Sequence, residues 1–182
     1  MNNTRRYALA RTIAPASEPL TLADTKLFLR VDSNSEDTLI TDMIIAARME
    51  AEQFLRRALI TQTWKLAFDE YLDQQVQLPV TPVIAITSIN AFDRAGVSQL
   101  IDSDVYYLSA TKDVLTIDTI IFSHRVEVLF SAGYGADSDV PAPIRQGMLH
   151  HIAGMYDVRG FESVFMPEIT QRLYMPFREV RL

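Results

Sequence analysis

The residues from Ser35 to Trp64, SEDTLITDMIIAARMEAEQFLRRALITQTW, change their hydrophobic period once, and that change sets the fold class. Leu39, Ile40, Met43, Ile44, Ala47, Ala51, Phe54, Leu55 and Ala58 recur at helical spacing and form one apolar stripe. Asp42, Arg48, Glu52, Gln53 and Arg56 fall mainly on the opposite side. Ser35 reads as the N-cap, with Glu36 and Asp37 in the first turn, where the helix dipole favours acids. Glu52 and Arg56 stand four apart in the favourable order for a surface ion pair. Beyond Leu59, Ile60, Gln62, Trp64, Leu66 and Phe68 alternate with Thr61, Thr63, Lys65 and Ala67, which is strand spacing. A helical layer therefore gives way to a β layer within this one stretch.

The flanking sequence extends both layers. Thr21, followed by Asp24 three residues later, is a capping signal for a helix over 21–31. The long helix is expected over 36–58. From Ile60 to Gly135 the chain reads as β, with strands at 62–70, 75–78, 83–93, 97–101, 105–109, 114–117 and 124–131, separated by turn-forming Asp, Gly and Pro residues. Trp64, Leu66, Ile84, Ile86, Ile89, Tyr107, Leu115, Val126, Val128 and Phe130 are expected on the inner faces of an antiparallel sheet or small sandwich. Asp139 is read as the cap of a third helix over 141–159, with Pro141 and Pro143 in its first turn and Gly160 as its stop. A fourth helix is expected over 167–175. The fold class is thus α+β: a small helical bundle carrying an antiparallel insertion over about 60–133. The domain reading is a single domain over 1–182, with residues 1–19 as an extended arm, 60–135 as the β insertion and 174–182 as a C-terminal tail.

Composition narrows the function classes. A chain of 182 residues with 48% hydrophobic and 22% charged residues is ordinary for a globular protein. Its net charge of −6 argues against a general nucleic-acid coat. The absence of cysteine removes disulfides and thiolate metal sites. The opening MNNTRRYALARTIAP has no apolar core of the kind a secretory signal needs, and no apolar run reaches spanning length.

No catalytic, cofactor or metal set emerges. His150 and His151 are adjacent on a helix and diverge by about 100°; His124 is remote in sequence. The Asp102/Asp104 and Asp137/Asp139 pairs lack the Gly and Glu that complete a calcium loop and read as turn caps. Gly133-Tyr134-Gly135 lacks the spacing of a phosphate cradle, and no nucleophile elbow is present. A hydrolase built on His150 or His151 is the weakest reading, since a packed histidine explains either one.

In order along the chain, PLTLADTKLFLRVD, RALITQTWKL, LPVTPVIAITSI, FSAGYG, VPAPIRQGMLHHIAGMYDVR and MPFREVRL resemble the head–tail connector (head-completion or adaptor) proteins of long-tailed bacteriophages, prophages and gene transfer agents. The likeness runs from about Pro19 to the end. It implies a non-enzymatic part of the virion, made in the bacterial host cytoplasm, without cofactor. It also implies a dodecameric ring of copies of the chain beneath the portal. That ring extends the DNA channel and receives the next head-completion or tail protein. DNA would pass through without sequence-specific binding, and no membrane is involved.

A ring needs two unlike patches per subunit. Arg48, Glu52 and Arg56 on the long helix are expected to supply one, and Arg145 and Gln146 on the third helix the other. Tyr174, Phe177, Arg178, Arg181 and Leu182 are expected to dock on the portal; the same tail could instead strap its own subunit. The alternative function is a DNA-packaging or DNA-binding accessory protein that uses Arg5, Arg6 and Arg11, although no recognition helix is evident.

Overall fold

The computed structural model describes residues 7–158 and 166–179. These fall into two compact units. One takes residues up to Pro15 together with Thr61–Gly133, and the other takes Ala16–Ile60 together with the chain from Tyr134 onward.

The first unit is all β. Strands β1 (Tyr7–Ile13), β2 (Gln62–Leu72), β4 (Val83–Phe92), β5 (Ser98–Leu100) and β8 (Ile121–Ala132) form one antiparallel sheet in the order β1-β2-β8-β4-β5. Strands β3 (Gln75–Gln77), β7 (Val114–Ile117) and β6 (Tyr106–Leu108) form a second. Seven of these strands fall where sequence alternation places them. β1 does not: Pro15 and the arginines made residues 1–19 read as an arm, yet Tyr7–Ile13 pairs along β2 from Tyr7↔Phe68 to Ile13↔Thr63. It is an edge strand with every residue exposed, so it carries no burial pattern for the sequence to reveal.

Leu66, Ile89, Leu115, Val126, Val128 and Phe130 are buried as expected. Ile84 and Tyr107 are not, at 43% and 58% exposed. β4 carries two register shifts against β8, between Val83 and Ala85 and between Ile86 and Ser88. Ile84 is the extra residue of the first bulge and leaves the inner face, which simple alternation cannot anticipate.

The second unit is helical: α1 (Leu22–Leu29), α2 (Asp37–Leu55), α3 (Ala142–Asp157) and α4 (Glu168–Tyr174). Thr21 caps α1 as its sequence predicts, its hydroxyl accepting the Asp24 N–H at 3.0 Å. The Ser35 hydroxyl instead meets that of Ser33, and Glu36 is the N-cap residue of α2. α2 stops at Leu55 because Arg56 turns left-handed, with φ 57°. α3 starts at Ala142 rather than after Asp139. Asp139 closes the preceding 3-10 turn, accepting the Ala136 N–H at 2.9 Å. Gly135, at φ 136°, is required there, since a Cβ would lie 2.3 Å from the Asp139 carboxylate. The expected stop at Gly160 lies outside the described residues. The core joins Ile40, Ile44, Ala47, Ala51 and Leu55 of α2 to Ile144, Met148 and Ile152 of α3 and Tyr174 of α4.

Candidate interaction surfaces

The side chains expected to make ring or portal contacts that fall among the described residues all lie in the helical unit. Arg48 is 4% exposed. Its Nε donates to Glu18 at 2.7 Å and its Nη1 to Glu52 at 2.8 Å. The other Glu52 oxygen accepts the Leu59 N–H at 3.0 Å. Arg48 and Glu52 are therefore not an outer patch. They tie the end of α2 to the chain before α1 and to the turn after Leu55. The expected Glu52–Arg56 surface pair gives way to the Arg48–Glu52 pair one turn earlier on the same helix. The reason is the left-handed turn at Arg56, which takes that residue out of helical register. Arg56 and Gln146 are exposed and Arg145 is half-buried.

At the C-terminal end, Tyr174 is fully buried and packs across Gly147, where a Cβ would stand 2.4 Å from the ring. Phe177 is half-buried against the core cluster. Arg178 is exposed and lies over the Phe54 ring, 4.9 Å from its centre, and the Glu179 N–H donates to the Leu55 carbonyl at 3.0 Å. Through Glu179 the tail is thus a strap on its own helical unit, and Tyr174 is a core residue rather than a docking one. Arg181 and Leu182 lie outside the described residues, as do Arg5 and Arg6. Arg11 is on β1 and donates to Gln62 at 3.4 Å.

The histidines separate as their adjacency requires. His150 sits edge-on to Phe28, with ring centres 5.6 Å apart, and touches Gln146 at 3.3 Å. His151 is fully buried; its ring nitrogens and the Tyr174 hydroxyl have no hydrogen-bond partner. The Glu50 carboxylate stands 3.5 Å from His151 Nε2. Burial pushes the His151 pKa down, partly opposed by Glu50. Burial and the Glu50 charge together push the Tyr174 hydroxyl far up. Sequence reading missed Glu50 as a member of this cluster, and only the joint spacing of α2 and α3 could have suggested it.

Among the described residues, no group of three or more His, Cys, Asp or Glu side chains is placed to hold a metal ion, and no helix is long and apolar enough to cross a membrane. A concavity of about 1040 Å³ lies within the β unit at the ends of β2, β4 and β8 and mixes Asp69, Glu70 and Asp93 with Arg94 and His124.

An antiparallel β unit inserted in sequence between the two parts of a helical unit defines an α+β protein. The family model for the phage gp6-like head–tail connector protein matches residues 19–122, and the chain belongs to that family. Its role is that of a structural connector. Among solved structures, it is similar to a chain in the neck of an empty gene transfer agent particle determined with C6 symmetry, with 24% identity, TM-score 0.84, and 96% of this chain and 97% of that one covered. A chain in the native gene transfer agent virion matches with 24% identity, TM-score 0.82 and 96% of each chain covered. One in the native neck determined with C12 symmetry matches with 23% identity, TM-score 0.78, and 96% and 97% covered. At these identities the likeness speaks to the fold. No curated protein matches the sequence.

Proposed function

We propose that this chain is a non-enzymatic adaptor that forms a ring beneath the portal of a phage-like particle, continues the DNA channel and offers a docking surface to the next head-completion or tail protein. The observation that carries this is family membership combined with a fold shared, over 96% of the chain, with chains from particle necks of C6 and C12 symmetry. The protein then belongs to the virion, at the junction of head and tail.

A cyclic ring uses heterologous contacts, two different surfaces on each copy. In the helical unit, Arg56, Arg145 and Gln146 are the side chains of the expected set that remain available for such contacts. Arg48 and Glu52 act from beneath, since Glu52 holds the Leu59 N–H and so stiffens the turn that presents Arg56. Portal docking falls to Arg178, Arg181 and Leu182, beyond the buried anchor Tyr174. A subunit of net charge −6 suits a channel through which DNA slides without being held.

The test is cryo-electron microscopy of the protein mixed with its cognate portal, using the full chain, a chain lacking residues 180–182, and Arg178→Ala. The expected result is a ring on the portal for the full chain and its loss for the truncated one, with thermal unfolding unchanged because Tyr174 is retained. A ring that survives both changes moves the portal contact elsewhere. A folded full-length chain that forms no ring on the portal overturns the adaptor reading.

A further inference from the structure

Among the described residues, the five-stranded sheet has two unlike open edges. At one, β1 exposes all seven residues, and Tyr7 and Leu9 are 45% and 38% exposed. They share a face with their partners Phe68 and Leu66, which are buried. The apolar inner face of the sheet thus runs out onto β1. Edge strands are usually blunted by charge, bulges or proline. On β1 these devices come late, as Arg11 and a register shift between Arg11 and Ile13, so Tyr7–Ala10 is a bare template.

At the other edge, β5 covers only Asn90–Phe92 of β4. Just before it, the Ile101 N–H takes the Ile89 carbonyl. Residues Ile84–Ser88 have no strand on that side among the described residues; Ile84 and Thr87 are the bulged residues against β8, and they and Ala85 are exposed.

We propose that these two edges pair between copies of this chain, with β1 of one subunit adding to β4 of the next at Ile84–Ser88. This inference rests on the ring reading above and names its seam in the β unit. Strand direction carries it. The order β1-β2-β8-β4 is antiparallel throughout, so β1 and β4 run in opposite directions. Copies that all face the same way, as a cyclic ring demands, then meet with β1 antiparallel to β4, and the ladder continues without reversal. The faces match as well. Tyr7 and Leu9 lie on the inner face with Ile86, which pairs with Phe130. Ala8 and Ala10 lie on the outer face with Ala85, which pairs with Ser131. The occupant is therefore a second copy, joined by main-chain hydrogen bonds, with Tyr7 and Leu9 extending the apolar face past Ile86.

The chain contains no cysteine, so engineered pairs report without background. Ala85→Cys is combined with Ala8→Cys or with Ala10→Cys, and both double variants are assembled on the cognate portal. Each is treated with oxidant, or with a short bismaleimide that tolerates an offset of two residues, and run on a denaturing gel. The expected result is loss of the monomer band to a ladder of multiples in at least one double variant, with every single variant remaining monomeric. Rings visible by microscopy with no ladder in either double variant would overturn the seam and leave the adaptor reading standing. A cross-link from Ala8→Cys or Ala10→Cys to a different protein would overturn the second copy as the occupant. If the portal carries no ring, the adaptor reading falls and the seam falls with it.

Discussion

His151 is a buried imidazole whose two ring nitrogens lack hydrogen-bond partners, beside a carboxylate 3.5 Å away. Burial lowers its pKa below the ordinary 6.5. Above that pH the ring is neutral both folded and unfolded, and its titration adds nothing to the pH dependence of stability. Below it the unfolded chain takes up a proton that the folded one resists, so stability falls as the pH falls. Denaturant midpoints measured between pH 7 and 5 should decline, with this group contributing at most about 1.4 kcal/mol per pH unit, and His151→Leu should flatten the decline. Gly147 offers a second test. A Cβ there meets the Tyr174 ring at 2.4 Å, so Gly147→Ala should destabilise by about 1–3 kcal/mol in a urea melt. Tyr174→Phe, which removes a buried hydroxyl without a partner, should cost little or nothing. Arg48 marks the limit of sequence at this scale. Its place opposite the apolar stripe signals solvent, but Glu18, thirty residues earlier, folds back and buries it in an ion pair.

At the scale of elements, apolar period was the informative signal wherever burial repeats. The helices, the six strands with buried or half-buried residues, and the exposed β5, bracketed by turn residues, stand near their expected positions. β1 escaped because an edge strand with two exposed faces has no pattern. The apolar stripe continues to Ala58 and predicts the end of α2 there, whereas Arg56 ends the helix in a left-handed turn that favours glycine. Arg56→Gly should therefore raise the stability of the helical unit by about 1 kcal/mol, read as a higher melting temperature. If Arg56 serves the ring, the same variant should assemble less well on the portal. Opposite signs in one variant would separate its structural cost from its use.

For the whole molecule, charge and assembly are linked. Free subunits of net charge −6 repel one another, and that repulsion is screened as the Debye length falls from about 10 Å at 0.1 M salt towards 3 Å at 1 M. A seam held by main-chain and apolar contacts predicts, in sedimentation, self-association that strengthens with salt, whereas contacts carried by Arg56 and Arg145 predict weakening. The sequence by itself determined the α+β class, the helical segments, every β segment but β1, and the family, because each rests on local periodicity, turn chemistry or an ordered set of short signatures. Only the tertiary structure decided which side chains are free to meet a partner. Exposure depends on what distant parts of the chain place over a residue: Glu18 over Arg48, Gly147 under Tyr174, β2 beside β1. Two of those three pairings cost an expected surface residue its surface. The third gave the sheet an open edge, because hydrogen bonds along a backbone pair without regard to side-chain pattern.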